Sequence, residues 1–252
     1  MLVFFRACEA NLSPGSLATT EKRWLNYTKQ EILYKCWLSL QKELTENDCV
    51  HIVCDRVTDN TKKWFKNNSN SDIVIKDINP LSHVPPYGEH PYPNYHYGVV
   101  NHCIEFFEYF FDVIEVLSED IVYICEDDYL HTNNWRKVLD NLFNKNYEGF
   151  YLPYDYPDRY SIDNTRQCDL HVIENHHYRT VPSSTLTMVS KAKTFNRYKI
   201  DLLRAGVFAE DSWTWKVFKQ NICLCPIPGT STHLQNNCIT PIIDWENVWN
   251  NV

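Results

Sequence analysis

The sequence predicts an α/β fold, a mostly parallel central sheet flanked by helices, and two observations carry that expectation. Short apolar runs alternate with stretches of helical periodicity, the pattern that builds parallel sheets covered on both faces. With 252 residues, 44% of them hydrophobic and 14% aromatic, the chain also has enough apolar mass for one large core.

The elements follow in order. "LVFF" at 2–5 reads as a short buried strand, and Thr28 to Leu44 sets Ile32, Leu33, Cys36, Trp37, Leu40 and Leu44 on one helical stripe. "CVHIVC" is a second strand ending at Asp55; after the polar "KKWFKNNSNS" comes a third, "DIVIKDI". A Pro/Tyr/His-rich loop covers 79–97. A long helix then carries Val100, Cys103, Ile104, Phe107, Phe111 and Ile114 on its apolar face, and delivers the chain to the strand "IVYIC" at 121–125. Beyond it, "NNWRKVLDNLF" reads as a helix, "GFYLPY" and "STLTMVS" as strands, 195–203 and 211–218 as helices, and "ICLCPI" as a late strand before "PGTSTHL". No repeat, linker or low-complexity segment interrupts this order, so residues 1–252 are expected to form a single domain.

Composition narrows the function classes. A net charge of -8 and a pI near 5.7 give no general basic field, which argues against nucleic acid and anionic membranes as partners; a negative ligand would need a local cation. "MLVFFRACEA" is too short in apolar residues for a signal-peptide core, and no segment reaches 18 uncharged residues, so a soluble, cytoplasmic chain is expected. The ten cysteines lie mostly inside apolar runs with no CxxC and no paired Cys/His spacing, which favours reduced thiols over disulfides or zinc. Neither GxGxxG nor GxxxxGK[ST] occurs, so a bound nucleotide would need its phosphates held another way.

The chemistry concentrates at "IVYICEDDYLH", where Glu126, Asp127 and Asp128 end a predicted central strand. Adjacent carboxylates repel unless water or a cation neutralises them. Open α/β sheets bind ligands at the carboxyl ends of their strands, which makes this a candidate site. In extended backbone Glu126 and Asp128 point one way and Asp127 the other, and such oxygen ligands suit Mg²⁺ or Mn²⁺. A solvated turn accounts for the triplet equally well.

The triplet, at the end of a fourth strand, resembles the D-x-D metal motif of glycosyltransferases with the GT-A fold, here as an E-D-D variant. "VCDRVTDNT" at 53–61 resembles the "DDGSTDNT" run of family 2 glycosyltransferases, with Cys54 and Arg56 replacing the usual residues. That resemblance implies a nucleotide-base contact for Asp55. Capping of a helix by Thr58 or Asp59 is the plainer reading of the residues that follow. "FAEDSW" at 208–213 resembles the x-E-D motif below the acceptor site, implying Asp211 as catalytic base with Glu210 beside it; helix capping again competes. "PIPGTSTHL" implies His233 at the metal or diphosphate. "YDYPDRY" and "HYRTVPSSTLT" imply Asp155 and Asp158 on the acceptor side and Arg179 on the diphosphate, with hydroxyl contacts from Ser183, Ser184 and Thr185; a surface ion pair accounts for Asp158 and Arg159 equally well.

Together the resemblance implies a transferase moving a sugar from a UDP- or GDP-sugar to a glycan or other hydroxyl acceptor, with inversion. Residues 1–131 would form the nucleotide-sugar half and 132–252 the acceptor half. Asp128 and His233 would hold Mn²⁺ or Mg²⁺, with Glu126 and Asp127 assisting the donor. A nucleotidyltransferase is the enzymatic alternative, though "FRACEANLSPGS" lacks the basic, glycine-rich signature it would need. A carbohydrate-binding module using the aromatic loop "PPYGEHPYPNYHYG" is the non-catalytic one.

Overall fold

Side-chain alternation sets the first strand. In β1 (Leu2–Cys8), Val3, Phe5 and Ala7 enter one apolar cluster while Phe4 enters another on the opposite face. The computed structural model describes residues 1–9, 24–78, 97–161, 167–184, 186–208 and 211–252, with side chains omitted at 97–102, 205–208 and 211–213. Helix α1 (Lys29–Gln41) starts at a capping box: the Thr28 hydroxyl accepts from the Glu31 amide and the Glu31 carboxylate accepts from the Thr28 amide. Then come β2 (Cys49–Asp55), α2 (Asp59–Asn67), β3 (Asp72–Asp77), α3 (Tyr97–Ile114), β4 (Ile121–Glu126), β5 (Tyr129–His131) and α4 (Trp135–Phe143). The second half adds β6 (Phe150–Tyr151), β7 (Leu170–Ile173), β8 (His176–Thr180), β9 (Met188–Lys191), α5 (Ala192–Arg197), α6 (Lys199–Phe208), α7 (Asp211–Gln220), β10 (Cys223–Ile227), β11 (Ser231–His233) and α8 (Trp245–Asn250).

Nine strands make one sheet in the order β3-β2-β1-β4-β9-β6-β10-β8-β7. The first four are mutually parallel, and only β9 and β8 run against the rest. This is the expected class. Helices α1, α2 and α4 cover one face through Trp37, Leu40, Phe65, Val138 and Leu142. The other face is covered by α3, α5, α6 and α7 through Phe107, Phe110, Phe195, Leu202 and Phe218. A third cluster, built on Trp24, Leu130, Leu234, Trp245 and Trp249, braces a separate ladder in which β11 pairs antiparallel with β5.

The structure corrects several element assignments. The polar stretch after β2 is helical: Thr58 caps α2 by accepting from the Thr61 amide, and Phe65 anchors it, so β2 and β3 are joined by a helix rather than directly. Strand β9 begins only at Met188, and "GFYLPY" is strand only at Phe150–Tyr151. The β7–β8 hairpin has an outer row, Leu170 and Val172, that faces solvent, so its pattern carries little core signal. The expected loop at 79–97 lies outside the described residues except for Tyr97. None of the ten cysteines is joined in a disulfide, and most are buried. Among the described residues no helix is long and apolar enough to cross a membrane.

Candidate active site

Strand parity decides where Glu126 points, and the turn after β4 decides the direction of Asp127 and Asp128. Tyr123 and Cys125 of β4 face the α1 side, and Val122 and Ile124 face the α3 side, so Glu126 continues toward α3. There it meets Arg6, its register partner on β1, at 3.2 Å; Arg6 also reaches the Cys103 sulfur at 2.9 Å and lies over the Phe106 ring. Asp127 turns to the opposite side. One of its oxygens accepts from the Cys8 amide at 2.6 Å and the other is paired with Lys29, the first residue of α1. Asp128 faces the β5–β11 ladder, whose register sets Tyr129 opposite His233. The two rings stack at 5.0 Å and 5°, and His233 Nε2 lies 3.1 Å from Asp128 Oδ2. Backbone bonding tightens the corner, with the Leu234 amide donating to the Asp128 carbonyl at 2.8 Å.

Each carboxylate therefore has its own cation, delivered by a different element: β1, α1 and β11. Burial pushes the Glu126 carboxyl up to about 7, with Arg6 opposing and Asp128 adding to the rise. Burial likewise raises Asp127, against Lys29. Asp128 behaves differently: burial would raise it, but His233 holds it well below the usual carboxylate range. Burial alone would depress His233, yet Asp128 lifts it to about 10.

β11 reaches this corner because Gly229 lets the chain pass. A Cβ there would sit 2.8 Å from the Asp155 nitrogen and 3.1 Å from the Pro153 carbonyl oxygen. The Thr230 and Ser231 amides then bond that carbonyl at 2.8 and 3.0 Å. On the other side of Glu126, its amide donates to Thr187 Oγ1 at 3.4 Å. Ser184 Oγ bonds the Thr187 carbonyl at 3.1 Å, and the Ser184 amide bonds Thr214 Oγ1 of α7, also at 3.1 Å. This chain of bonds ties the amino-terminal turn of α7 to the end of β4.

The remaining expected residues divide. Asp55 closes β2 beside Cys8 of β1, nearly buried, and receives Arg56 through two bonds of 2.8 and 2.9 Å. Arg179 and Asp155, expected at the diphosphate and the acceptor respectively, form one buried pair at 2.8 Å. Asp158 is exposed on the short turn Pro157–Tyr160. Asp211 opens α7, but its side chain, all of Glu210 and Thr185 lie outside the described residues.

Sequence reasoning missed Arg6 and Lys29, although each left a signal. Arg6 is the one charge in the apolar strand "LVFFRAC". Lys29 occupies the first turn of a helix, where a cation opposes the helix dipole and so needs another reason to be there.

The sequence matches no protein-family model and no curated protein. Among solved structures, it is similar to TarS 1–349 of S. aureus in complex with UDP-GlcNAc, at 10% identity over 81% of this chain and 53% of that one, TM-score 0.41. It is also similar to mouse xyloside xylosyltransferase 1, at 10% identity over 86% and 74%, TM-score 0.41. A third is 4-diphosphocytidyl-2C-methyl-D-erythritol synthase of Anaerococcus prevotii, at 11% identity over 99% and 94%, TM-score 0.41. The chain thus spans about half the length of the TarS structure it matches. At these identities and TM-scores, the likeness says nothing about which reaction this chain performs.

Proposed function

We propose that this chain is a glycosyltransferase of GT-A type that moves a sugar from a nucleoside diphosphate to an acceptor hydroxyl. The observation carrying this reading is the acid triplet at the carboxyl end of β4, onto which β11 brings His233 from 105 residues away to 3.1 Å from Asp128. A solvated turn has no need of that delivery.

The donor set fits a divalent ion in part. The carboxylate oxygen suits Mn²⁺ or Mg²⁺ and the imidazole nitrogen favours Mn²⁺ of the two, while among the described residues no three ligating side chains gather as a complete cage. Asp128, and His233 once the ion displaces the proton that Asp128 keeps on its imidazole, would therefore hold the ion, with water and the donor diphosphate as its other ligands. When bound, the ion supplies neutralisation for the charge that develops on the departing diphosphate.

The chain's own groups do the rest. Arg6 adds a fixed cation beside Glu126, supplying local positive charge in an acidic protein. Lys29 and the Cys8 amide occupy both oxygens of Asp127, so Asp127 holds the turn in shape. Asp55, at the carboxyl end of β2, would contact the nucleotide base, which requires it to give up part of its pairing with Arg56. Asp211, opening a helix bonded back to the β4 end, would accept the acceptor's proton as the hydroxyl attacks, giving inversion.

Titrating the chain calorimetrically with UDP- and GDP-sugars, with and without Mn²⁺, tests this. We expect one nucleotide to bind in a Mn²⁺-dependent way, and Asp128→Asn and His233→Ala each to weaken it by tenfold or more, on the order of 1.4 kcal/mol. If no nucleotide binds, or Asp128→Asn binds as wild type does, the reading fails.

A further inference from the structure

Resting on the transferase reading above, we infer that Asp155, Arg179 and Arg159 form an acceptor subsite for an anionic sugar, one carrying a carboxylate or phosphate next to free hydroxyls. Three polar atoms in this cluster are buried without a hydrogen-bond partner: Asp155 Oδ1, Arg179 Nε and Arg159 Nε. Buried polar groups are nearly always satisfied, so three orphans in one cluster call for a ligand that supplies the missing bonds. Their chemistry specifies it. Two donors need an acceptor and one acceptor needs a donor, a demand met by an oxyanion beside a hydroxyl.

Charge points the same way. Arg179 Nη2 donates to Asp155 Oδ2 at 2.8 Å and Tyr160 donates to that same oxygen, while the Arg159 charge acts on this carboxylate without a direct bond to it. Neither arginine charge can be lost by deprotonation, so both guanidinium groups stay available to an oxyanion at any working pH. Aromatic rings frame the cluster, with the Arg179 guanidinium 4.6 Å from the Tyr160 centroid and that of Arg159 6.0 Å from Tyr156. Tyr160 and Arg159 keep partial exposure, which gives a ligand its approach.

Position fits an acceptor. Arg179 is the register partner of Cys225 on β10, and Cys225 packs in the cluster that holds Val217 and Phe218 of α7, the helix opened by Asp211. The preceding residue, Tyr154, packs on the other face, its ring 6.3 Å from that of His233. The subsite therefore lies on the sheet face that α7 covers, one residue along the chain from the Tyr154 ring that neighbours His233.

Calorimetric titration of the full chain with sodium glucuronate, glucose 6-phosphate and glucose tests this. We expect at least one anionic sugar to bind about tenfold tighter than glucose, the tighter one identifying carboxylate or phosphate as the recognised group. Arg159→Gln, a half-exposed change that spares the core, should abolish the preference, and Arg159→Lys should restore part of it. Equal binding of glucose, no binding of any sugar, or an unaltered preference in Arg159→Gln overturns the subsite. Titrating uridine diphosphate with Mn²⁺ into the same samples separates the two readings: if it binds while the sugars fail, only the subsite falls; if it does not bind, the donor site falls.

Discussion

Replacing Lys29 by methionine removes one charge from the acidic turn while keeping most of the stem. In the native chain the Lys29 ammonium is 16% exposed and Asp127 only 7%, so water replaces little of what is lost. At contact, about 3 Å, an effective dielectric constant of 20 gives the pair roughly 5 kcal/mol of gross attraction. Most of that offsets desolvation, but breaking the pair strands a buried carboxylate with the Cys8 amide as its hydrogen-bond donor, and losses of about 3–5 kcal/mol accompany such breaks. We therefore expect Lys29→Met to lose about 3 kcal/mol in urea unfolding followed by tryptophan fluorescence at pH 7. The double variant Lys29→Met with Asp127→Asn should recover most of it, a coupling of about 2 kcal/mol. A loss below about 0.5 kcal/mol, or a double variant as unstable as the two single losses added, would refute the account of Asp127 as a structural carboxylate held by Lys29.

Three further outcomes are expected. Burial would raise Asp48, but the Met1 ammonium, the Thr45 amide and Arg136 together lower it to about 2 from an ordinary 3.8. A depressed carboxyl stabilises above its unfolded value, so roughly 2 kcal/mol present above pH 4 should fade as pH falls toward 2, and an acid titration of Asp48→Asn should lack that component. Gly229→Ala forces a Cβ to within 2.8 Å of the Asp155 nitrogen; it should cost about 1–3 kcal/mol by thermal melt and weaken Mn²⁺-dependent nucleotide binding by displacing His233. Trp37, fully buried edge-to-face against Phe5 and Phe65 at 5.2 and 4.8 Å, donates to the Asn68 carbonyl; Trp37→Ala should cost about 3–5 kcal/mol in chemical unfolding.

What was legible along the chain was what neighbouring residues encode. The runs at 2–5, 49–54, 72–78 and 121–125 became the four parallel strands, and the stripe from Ile32 to Leu40 became α1, because burial on one side imposes a period that local sequence displays. The triplet's place at a strand end was legible in the same way. The expected convergence of Glu126 and Asp128 was not a matter of strand period, because β4 ends at Glu126 and Asp127 and Asp128 lie in the turn that follows, with Glu126 meeting Arg6 and Asp128 meeting His233. Helix α2 escaped notice because it buries little beyond Thr61 and Phe65, too few residues to print a stripe. The β7–β8 hairpin escaped because its outer row has nothing packed on it.

The tertiary structure alone decided the partners. Arg6, Lys29 and His233 stand 120, 98 and 105 residues from the carboxylates they meet, and Arg179 stands 24 from Asp155. Ion pairing has no period in sequence; it depends on which strand ends and helix starts the sheet order sets side by side. The sequence by itself determined that three carboxylates would crowd the end of a central strand. Only the fold determined which cation each would receive, because that choice is made by the β1–β4 register, the start of α1 and the β5–β11 ladder, contacts that exist once the chain has closed on itself.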